Sequence, residues 1–345
     1  SPMVLTMAKI APALVAGNTV VIKPSPLAPA ALTLTLTALA QLLPAGAVNI
    51  VNGDADVGSA ISTHPRIRKV SFTGSVNVGK QILRDAASNV KRVTLELGGN
   101  DPAVLLDDVD INEAVSSLCT GAFMRAGQIC FAVKRIYVPR TRYDEIYEAI
   151  CAHVAAYQVG HGMDERTTFG PMISSTQLAR VKGIVERTRA AGAHIAELGG
   201  LVEPGLDDEG HYMLPVVVRD IAQDAELVAV EQFGPVIPLV AYDTVDQAVA
   251  MANDSEFGLA SSVWSQDADR AITVARRVEA GVTFINSHNV WSLSFDIPFG
   301  GVKQSGLGRE RTALGLQEYV EPHAIRLIKP PPRATTPDAS RKDQS

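Results

Sequence analysis

The chain has 345 residues, of which 46% are hydrophobic and 20% charged, and its formal net charge is −6 at pH 7. This composition indicates a soluble globular protein large enough for two domains, and its interspersed charges exclude nucleic acid or an anionic membrane as the expected partner. Since its apolar runs are broken before they reach the length of a membrane span, we expect a cytoplasmic protein without a signal peptide.

The first hundred residues alternate between helical and strand patterns. The expected helices are Met3–Leu14, Leu27–Leu43, Asp54–Thr63 and Val76–Ala87, and the expected strands are Thr19–Lys23, Val48–Val51, Arg68–Phe72 and Val93–Leu97. Strands separated by helices of this length predict βαβ units and a mostly parallel sheet with helices on both faces. In such sheets ligands bind beyond the carboxyl ends of the strands.

Three of the strand-to-helix turns in this region carry residues that suit a nucleotide. The first turn carries Lys23 and Ser25, the second carries Gly53, and the third carries Gly74, Ser75 and Gly79. An ammonium, hydroxyls and free amides at a helix start would suit ribose and phosphate groups. For the third turn in isolation, the favoured alternative is a plain glycine turn followed by a serine N-cap.

A second alternating unit follows Gly98-Gly99. Its expected strands are Ala103–Leu106, Lys134–Val138, a strand beginning at Val236, Leu259–Trp264 and Val282–Asn286, and its expected helices are 110–123, Tyr143–Tyr157, Gln177–Ala191, Val245–Asn253 and Ala268–Ala280. The aromatic, irregular segment Ser287–Phe299 predicts a pocket wall, with a packed surface loop as the alternative. His323–Ile328 resembles a strand, and Pro330–Ser345 predicts a disordered tail.

Glu96 and Cys130 are the candidate base and nucleophile. Glu96 ends an apolar strand before a glycine pair, and Cys130 follows a helix in a segment without other ionisable side chains. A carboxylate and a thiol brought to one cleft can act in this way. The alternative for a lone cysteine is a small buried hydrophobe, which is our interpretation of Cys119 and Cys151 in helical stripes. The three cysteines lack metal-ligand spacing, so we expect no metal.

Six short motifs occur in one order along residues 1 to about 329. They are Lys9–Leu14, Gly17–Ser25, Leu95–Gly99, Gly127–Cys130, Glu231–Pro235 and Pro298–Gly301. Through them the chain resembles the aldehyde dehydrogenase superfamily. The resemblance implies a doubly wound, parallel-sheet, Rossmann-like nucleotide-binding domain (1–98), an α/β catalytic domain (99–298), a return segment at the active site (299–320) and an oligomerisation strand (321–329). It also implies a homodimer or homotetramer.

The resemblance implies an NAD-dependent oxidation of an aldehyde to a carboxylic acid. The Cys130 thiolate would add to the aldehyde, hydride loss would leave a thioester, and Glu96 would activate the hydrolytic water. A lowered thiol pKa would keep the nucleophile ionised. The alternatives are transfer of the acyl group to coenzyme A, for which a water-activating base is unnecessary, and a catalytically silent structural homologue.

Other roles follow from the resemblance residue by residue. The implied cofactor contacts are Lys23, Ser25, Gly74, Ser75, Gly79, Leu97, Glu231 and Phe233, and the implied substrate tunnel is Ile129, Phe131, Trp291, Phe295 and Phe299. The tunnel residues suggest an apolar or aromatic aldehyde. Glu310 and Lys9 would relay protons to Glu96, with a plain surface ion pair equally favoured. For Glu231 the alternative is a solvated charge.

Two departures from the family pattern alter these expectations. Pro26 stands where the family usually has a glutamate that binds the adenine ribose, which leaves NADP open, although no extra arginine lies beside Lys23. Pro2 aligns with the last proline of the family's Pro-Trp-Asn-Phe-Pro segment, so the oxyanion-hole asparagine falls upstream of Ser1. Loss of one such donor typically costs about 10²- to 10³-fold in rate, and loss of the N-terminal hairpin would leave the strand at His323–Ile328 with an unpaired edge. We therefore expect a truncated, poorly soluble and nearly inactive chain.

Overall fold

The structure is a computed structural model and describes residues 2–328. Its helices are α1 (Pro2–Val15), α2 (Ala30–Ala40), α3 (Ala55–Thr63), α4 (Val76–Ala87), α5 (Ile111–Phe123), α6 (Tyr143–Val154), α7 (Ser175–Ala190), α8 (Leu206–Glu209), α9 (Glu226–Ala229), α10 (Val245–Asn253), α11 (Ala268–Ala275) and α12 (Thr312–Gln317). Short 3₁₀ turns occupy Met124–Gly127, Arg140–Arg142 and Val290–Ser292.

The strands are β1 (Val20–Ile22), β2 (Val48–Ile50), β3 (Lys69–Thr73), β4 (Arg92–Glu96), β5 (Asp101–Leu105), β6 (Val133–Pro139), β7 (Gln158–Val159), β8 (His194–Glu197), β9 (Gly200–Leu201), β10 (Val216–Arg219), β11 (Val236–Tyr242), β12 (Phe257–Gly258), β13 (Ala260–Trp264), β14 (Val282–Ile285), β15 (Val302–Lys303) and β16 (Gly306–Leu307). The helices and strands expected in the first hundred residues are all present. Their ends differ by a few residues, except that α4 has the predicted bounds.

The first unit departs from the single sheet that we expected. β1 pairs with β2 and β3 with β4, both in parallel, while β16 adds antiparallel to β4. Within residues 2–328 no ladder joins the two parallel pairs. They are connected through α1, because Lys9 in that helix donates to Thr73 Oγ1 at the end of β3 over 2.7 Å. The order of the strands in the sequence does not show which strands pair, because neighbouring strands in a doubly wound sheet need not be consecutive in the chain.

The second unit is built on a seven-stranded sheet with the order β14-β13-β5-β6-β11-β10-β8. Its pairings are parallel except that of β8 with β10. One apolar cluster packs α5, α6 and α7 against one face, and a second packs α10 and α11 against the other. Burial on both faces explains why β5, β6 and β13 have no exposed residues.

Some elements of the second unit differ from the predictions. β8 and β10 were not predicted, and β8 lacks a recognisable apolar run because it is a half-exposed edge strand. α11 ends at Ala275 rather than Ala280. The physical reason is that the N–H of Glu279 donates to the side chain of Asn253 over 2.8 Å instead of continuing the helix.

The end of the described chain does not form the predicted strand. Residues 321–328 carry no regular secondary structure. The side chains of Ile325, Leu327 and Ile328 are 86%, 86% and 71% exposed. A strand requires a neighbouring edge, and the single chain supplies none to this segment. Lys329 and the predicted disordered tail, Pro330–Ser345, lie outside the described residues.

No helix between residues 2 and 328 is long and apolar enough to cross a membrane.

The two units meet at the link Leu97–Asn100. This link carries the chain from the carboxyl end of β4 to the amino end of β5. The N–H of Leu97 donates to the carbonyl of Ser305 over 2.8 Å, so the segment before β16 also lies against the link. Side chains at the end of one sheet therefore lie beside loops at the start of the other.

Candidate active site

Cys130 lies in a loop, residues 129–132, between a 3₁₀ turn and β6. We call this segment the cysteine loop. Lys134 Nζ donates to the carbonyls of Ile129 at 3.0 Å and Cys130 at 2.6 Å. His288 Nε2 lies 2.9 Å from the carbonyl of Phe131 and must be the donor, because a carbonyl oxygen only accepts. Two buried side chains thus fix the carbonyl side of the loop.

The Cys130 side chain is half-buried. Burial raises the pKa of its thiol to about 12, the charge of Lys134 opposes this rise, and the carboxylates of Glu96 and Asp101 add to it. The lowered pKa that we expected is therefore wrong for the free protein. Burial also raises the pKa of Cys119 to about 12, but that side chain belongs to the hydrophobic core. The two thiols differ in position, because Cys130 lies in the cysteine loop beside Lys134 and Cys119 lies in the hydrophobic core.

Glu96 ends β4 and is only 3% exposed. Within residues 2–328 neither of its carboxylate oxygens has a hydrogen-bond partner. Burial raises the pKa of this carboxyl well above its usual range, and Glu310 adds to the rise, while Lys9, Arg309 and Arg311 oppose it. A carboxylate with a raised pKa is a stronger base than an exposed one, as water activation requires.

The glycine pair after Glu96 brings the base segment against the cysteine loop. A Cβ atom on Gly99 would lie 2.8 Å from the carbonyl oxygen of Cys130, and one on Gly98 would collide with the carboxylate of Glu231. Larger residues at either position would push these segments apart. The structure therefore places Glu96, Cys130 and Glu231 around one four-residue link.

Glu231 is held at this link by one hydrogen bond and one ion pair. Its Oε1 accepts from the N–H of Gly99 at 3.1 Å and lies 3.8 Å from Lys134 Nζ. Burial raises the pKa of its carboxyl, against the effects of Lys134 and the Gly99 N–H. The interpretation of Glu231 as a solvated charge is therefore wrong. Arg180 of α7 also donates to the Glu231 carbonyl over 2.8 Å, which fixes the loop that leads to Phe233.

Lys9 and Glu310 form an ion pair in the interior. Their charged atoms are 2.5 Å apart, and their side chains are 16% and 8% exposed. The alternative of a surface ion pair is therefore wrong. The backbone of Glu310 also pairs with that of Phe299 in both directions. Gly300 follows Phe299, and a Cβ on it would lie 2.7 Å from Glu96 Oε1. This return segment therefore lies directly on the Glu96 carboxylate.

The three predicted nucleotide turns form two groups. In the first, Lys23 Nζ donates to the carbonyl of Gly53 over 2.8 Å. In the second, Ser75 caps α4 by accepting from the N–H of Val78 at 3.4 Å. The N-cap interpretation of Ser75 is thus confirmed, and it does not conflict with a phosphate role. A hydroxyl of Ser25 accepts from the Leu27 N–H at 3.4 Å within its own turn.

The second turn group packs against the end of β4. A Cβ on Gly79 would lie 2.6 Å from Leu97 Cδ2, so the first turn of α4 lies directly on this side chain and a larger residue would have to displace it. Gly74 is connected there too, since its N–H donates to the carbonyl of Glu96 over 3.0 Å. A helix N-terminus, an ammonium and the Glu231 carboxylate therefore lie at or beside the strand ends. These groups fit a ligand that carries both phosphates and ribose hydroxyls.

The predicted tunnel residues divide into an inner and an outer set. Phe131 and Phe299 are buried and pack edge to face with 5.7 Å between ring centroids, and Ile129 packs on the same cluster. Trp291 and Phe295 are 73% and 78% exposed. The aromatic segment is therefore neither entirely a pocket wall nor entirely a surface loop. Ile129 and Phe131 of the inner set line a shallow surface depression together with Met124, Ala132 and Val290.

Sequence reasoning missed four polar residues of this region: Asp101, Lys134, His288 and Arg311. Lys134 stands with Arg135 in the fully buried strand β6, and these charges were the available signal, because a charge in a fully buried strand needs a specific partner. His288 and Asp101 are 0% and 1% exposed, with 3.6 Å between Nε2 and Oδ2. Nothing in their local sequence marks them.

Residues 1–325 match the model of the aldehyde dehydrogenase family. The chain belongs to this family.

Individual aldehyde dehydrogenases show the same relationship. A betaine aldehyde dehydrogenase from Rhizobium johnstonii is 40% identical over 321 residues, which are 93% of this chain and 65% of that protein. The crystal structure of a Mycobacterium tuberculosis aldehyde dehydrogenase complexed with NAD+ is 38% identical, with a TM-score of 0.85 over 92% of this chain and 65% of that one. A mutant of aldehyde dehydrogenase C from Pseudomonas syringae, complexed with NAD+ and octanal, is 38% identical, with a TM-score of 0.88 over 93% and 66%.

The chain thus spans about 65% of the length of the curated relatives it matches. The fold class predicted from the sequence is confirmed by these structural neighbours.

Proposed function

We propose that the protein oxidises an aldehyde to a carboxylic acid with NAD as the hydride acceptor. The observation that carries this proposal is the convergence of Glu96, Cys130 and Glu231 on the Leu97–Asn100 link. The raised pKa of the Glu96 carboxyl, which burial causes, supports its assignment as the base. The family membership supports the reaction type.

The first step belongs to Cys130. Because burial raises the pKa of the thiol to about 12, the thiol is protonated at neutral pH and must lose its proton as it reacts. We assign this proton to the Glu96 carboxylate, directly or through one water. The Sγ atom then bonds to the aldehyde carbon, and the carbonyl oxygen becomes the oxyanion of a thiohemiacetal. The charge of Lys134, which lowers the pKa of this thiol, favours the thiolate as it forms.

The residues at the strand ends fit a dinucleotide. Lys23 and the start of α4 would hold phosphates, and Glu231 would accept hydrogen bonds from ribose hydroxyls at the link beside Cys130. NAD bound there would supply the hydride acceptor through which the thiohemiacetal becomes a thioester. Gly79 and Leu97 keep that end of the cleft close-packed, which helps to exclude water.

The second step belongs to Glu96. Once the proton accepted in the first step has left Glu96, its carboxylate takes a proton from water, the water oxygen bonds to the thioester carbon, and the C–S bond breaks to return the thiolate and release the acid. Glu310 and Lys9 lie close enough for their charges to act on this carboxylate, and they would carry the proton onward. Their burial supports this role, since a buried relay is shielded from bulk water.

We propose NAD as the cofactor, and NADP is the alternative to be tested. Pro26 removes the carboxylate that would repel a 2′-phosphate, but the turn after β1 carries only Lys23 as a cation. The neighbours from Mycobacterium tuberculosis and Pseudomonas syringae were both crystallised with NAD+. Steady-state kinetics with both cofactors decide between them, and a clear preference for NADP would overturn this assignment.

We also propose that the protein forms a homo-oligomer through residues 321–328. The apolar side chains of Ile325, Leu327 and Ile328 are exposed, and a second chain could offer the edge that this segment lacks. Sedimentation velocity of the protein and of an I325D/L327D variant tests this. We expect the variant to dissociate, whereas a monomeric parent protein would rule the interface out.

Appearance of reduced cofactor with a panel of aldehydes tests the main proposal. We expect NAD reduction that requires Cys130, with the carboxylic acid as the product. If coenzyme A is supplied and acyl-coenzyme A forms in place of the free carboxylic acid, the protein is an acylating enzyme instead. No reduction with any aldehyde, from a protein that binds NAD, would identify a silent homologue.

A further inference from the structure

Arg311 occupies a backbone conformation that glycine normally adopts. Its φ is +66° and its ψ 172°, immediately before α12. A non-glycine residue in this region is strained and persists only where the surrounding structure holds it. Strain of this kind is concentrated at functional sites, which indicates a functional role for the Arg311 side chain.

The Arg311 side chain is held between two aromatic rings at the outer end of the predicted tunnel. Its guanidinium carbon lies 5.1 Å from the ring centroid of Phe295 and 5.4 Å from that of Phe299. Nη1 also donates to the carbonyl of Ser294 over 2.9 Å. Since Phe299 packs on Phe131, the residue after Cys130, the guanidinium stands at the mouth of the region that leads to the nucleophile.

The charges around Arg311 leave this mouth positive. The carboxylates that act on the guanidinium are those of Glu310 and Glu96. Glu310 is already paired with Lys9 at 2.5 Å, and among residues 2–328 no carboxylate lies within ion-pair distance of the Arg311 guanidinium. Arg309 adds a second cation near Glu96. A substrate group arriving here therefore meets a positive charge that is not neutralised.

We propose that Arg311 is a specificity-determining residue, which selects aldehydes with a carboxylate at the end remote from the carbonyl and rejects those with a quaternary ammonium. This inference rests on the proposed aldehyde oxidation. A guanidinium binds a carboxylate through parallel N–H donors. Quaternary ammonium groups are instead recognised by the faces of aromatic rings.

In this chain the faces of Phe295 and Phe299 already carry the protein's own cation. A trimethylammonium group would have to displace it or lie beside it, and both are unfavourable. The substrate class therefore differs from the one named for the betaine aldehyde dehydrogenases that are about 40% identical to this chain. The difference is decided by a single side chain on the return segment.

Three aldehydes of matched length test the selection. Succinic semialdehyde is anionic, butanal is neutral and 4-trimethylammoniobutanal is cationic. We expect kcat/KM to fall in that order, with at least about 10-fold between the anion and the cation, mostly through KM. Arg311→Met and Arg311→Gly should each bring the ratio of kcat/KM for the anionic and cationic aldehydes close to one. Of the three substrates, butanal should show the smallest change in kcat/KM.

The glycine variant guards against a folding artefact, because glycine suits φ +66° without strain. Arg276→Met is the matched control, since it removes the same charge from an exposed residue after α11 and should leave the ratio unchanged. A cationic substrate used as well as the anionic one would overturn the proposal. An unchanged ratio in both Arg311 variants would do the same.

A second measurement needs neither turnover nor cofactor. Cys130 is alkylated with iodoacetate, which is anionic, and with iodoacetamide, which is neutral, and labelling is quantified by mass. We expect the iodoacetate to iodoacetamide rate ratio to fall at least about 3-fold in both Arg311 variants and to stay constant in Arg276→Met. A constant ratio in all variants refutes the role of Arg311. If no aldehyde is oxidised but the ratio falls, the proposed reaction has failed and the charge selection stands.

Discussion

The ammonium of Lys134 lies 2.6 Å from the carbonyl oxygen of Cys130. The same ammonium lies 3.8 Å from the carboxylate of Glu231, so one buried cation joins the nucleophile to the proposed ribose-binding residue. Lys134 is 1% exposed, and a lysine buried to this degree requires such partners. Its charge is also the largest effect that opposes the raised pKa of Cys130.

Replacement of Lys134 by methionine should make Cys130 less reactive. Without the positive charge the pKa of the thiol rises further, so the thiolate fraction at a fixed pH falls, and we expect alkylation by iodoacetamide at pH 8 to slow by about 10-fold. Lys134→Arg keeps the charge and should recover part of the rate. Lys91→Met is the matched control, because Lys91 is also buried and donates to a carbonyl, that of His64. Equal rates in Lys134→Met and the parent protein would contradict the electrostatic role.

Replacement of Cys130 by alanine should abolish aldehyde oxidation, with a loss of at least about 10³-fold, while NAD binding remains. The comparison is Cys119→Ala, which alters a thiol with a similarly raised pKa inside the core. That variant should lose stability by cavity formation but keep its turnover per folded molecule. Mass labelling before and after denaturation measures both sites. A Cys119 that reacts faster than Cys130 in the folded protein would overturn the assignment of the nucleophile.

Replacement of Glu96 by glutamine should slow hydrolysis of the thioester by about 10²- to 10⁴-fold. We expect a burst of reduced cofactor followed by slow turnover, because the steps before hydrolysis can still proceed once. A variant that turns over at the parental rate without a burst would show that another group activates water. Stopped-flow measurement of reduced cofactor resolves the two phases.

The same Glu96→Gln change should stabilise the protein at neutral pH. The folded-state pKa of Glu96 is raised above the value of 4.5 expected for an exposed carboxyl, so the folded state binds more protons than the unfolded state above that pH. Stability from this group is therefore present at low pH and is lost as pH rises toward the folded-state pKa. Thermal unfolding should show a higher Tm for the variant at pH 7 and little difference at pH 4. A lower Tm at pH 7 would indicate that the carboxylate has a stabilising partner.

The Lys9–Glu310 pair should contribute strongly to the attachment of the return segment. Removal of one partner leaves the other charge buried, so Lys9→Met should destabilise the protein by about 3 to 5 kcal/mol. Adding Glu310→Leu should recover much of this loss, because no unpaired charge then remains. Chemical denaturation of the two single variants and the double variant gives the coupling energy. Additive effects would show that the pair has no energetic coupling in solution.

Local patterns were sufficient for much of the fold and for the two main chemical groups. Val76–Ala87 was recognised from its apolar spacing and serine cap, and Glu96 from the strand and glycine pair that surround it. The edge strand β8 was not recognised, because a half-exposed strand of four residues has no distinctive period. The strand predicted at His323–Ile328 does not form, because a local pattern cannot provide a neighbouring edge.

The sequence by itself determined the family and the candidate side chains for its chemistry, because motifs and apolar periods depend on residues close together in the chain. Only the tertiary structure decided their electrical environment. Lys9 and Glu310 are separated by 301 positions and yet form a buried pair, and Arg311 lies over an aromatic ring 16 positions earlier. The pKa of Glu96 depends on burial and on charges from remote segments, among them Lys9 and Glu310, and the proposed substrate selection also depends on a remote residue. Their effect depends on distance and burial, which exist only in the folded chain.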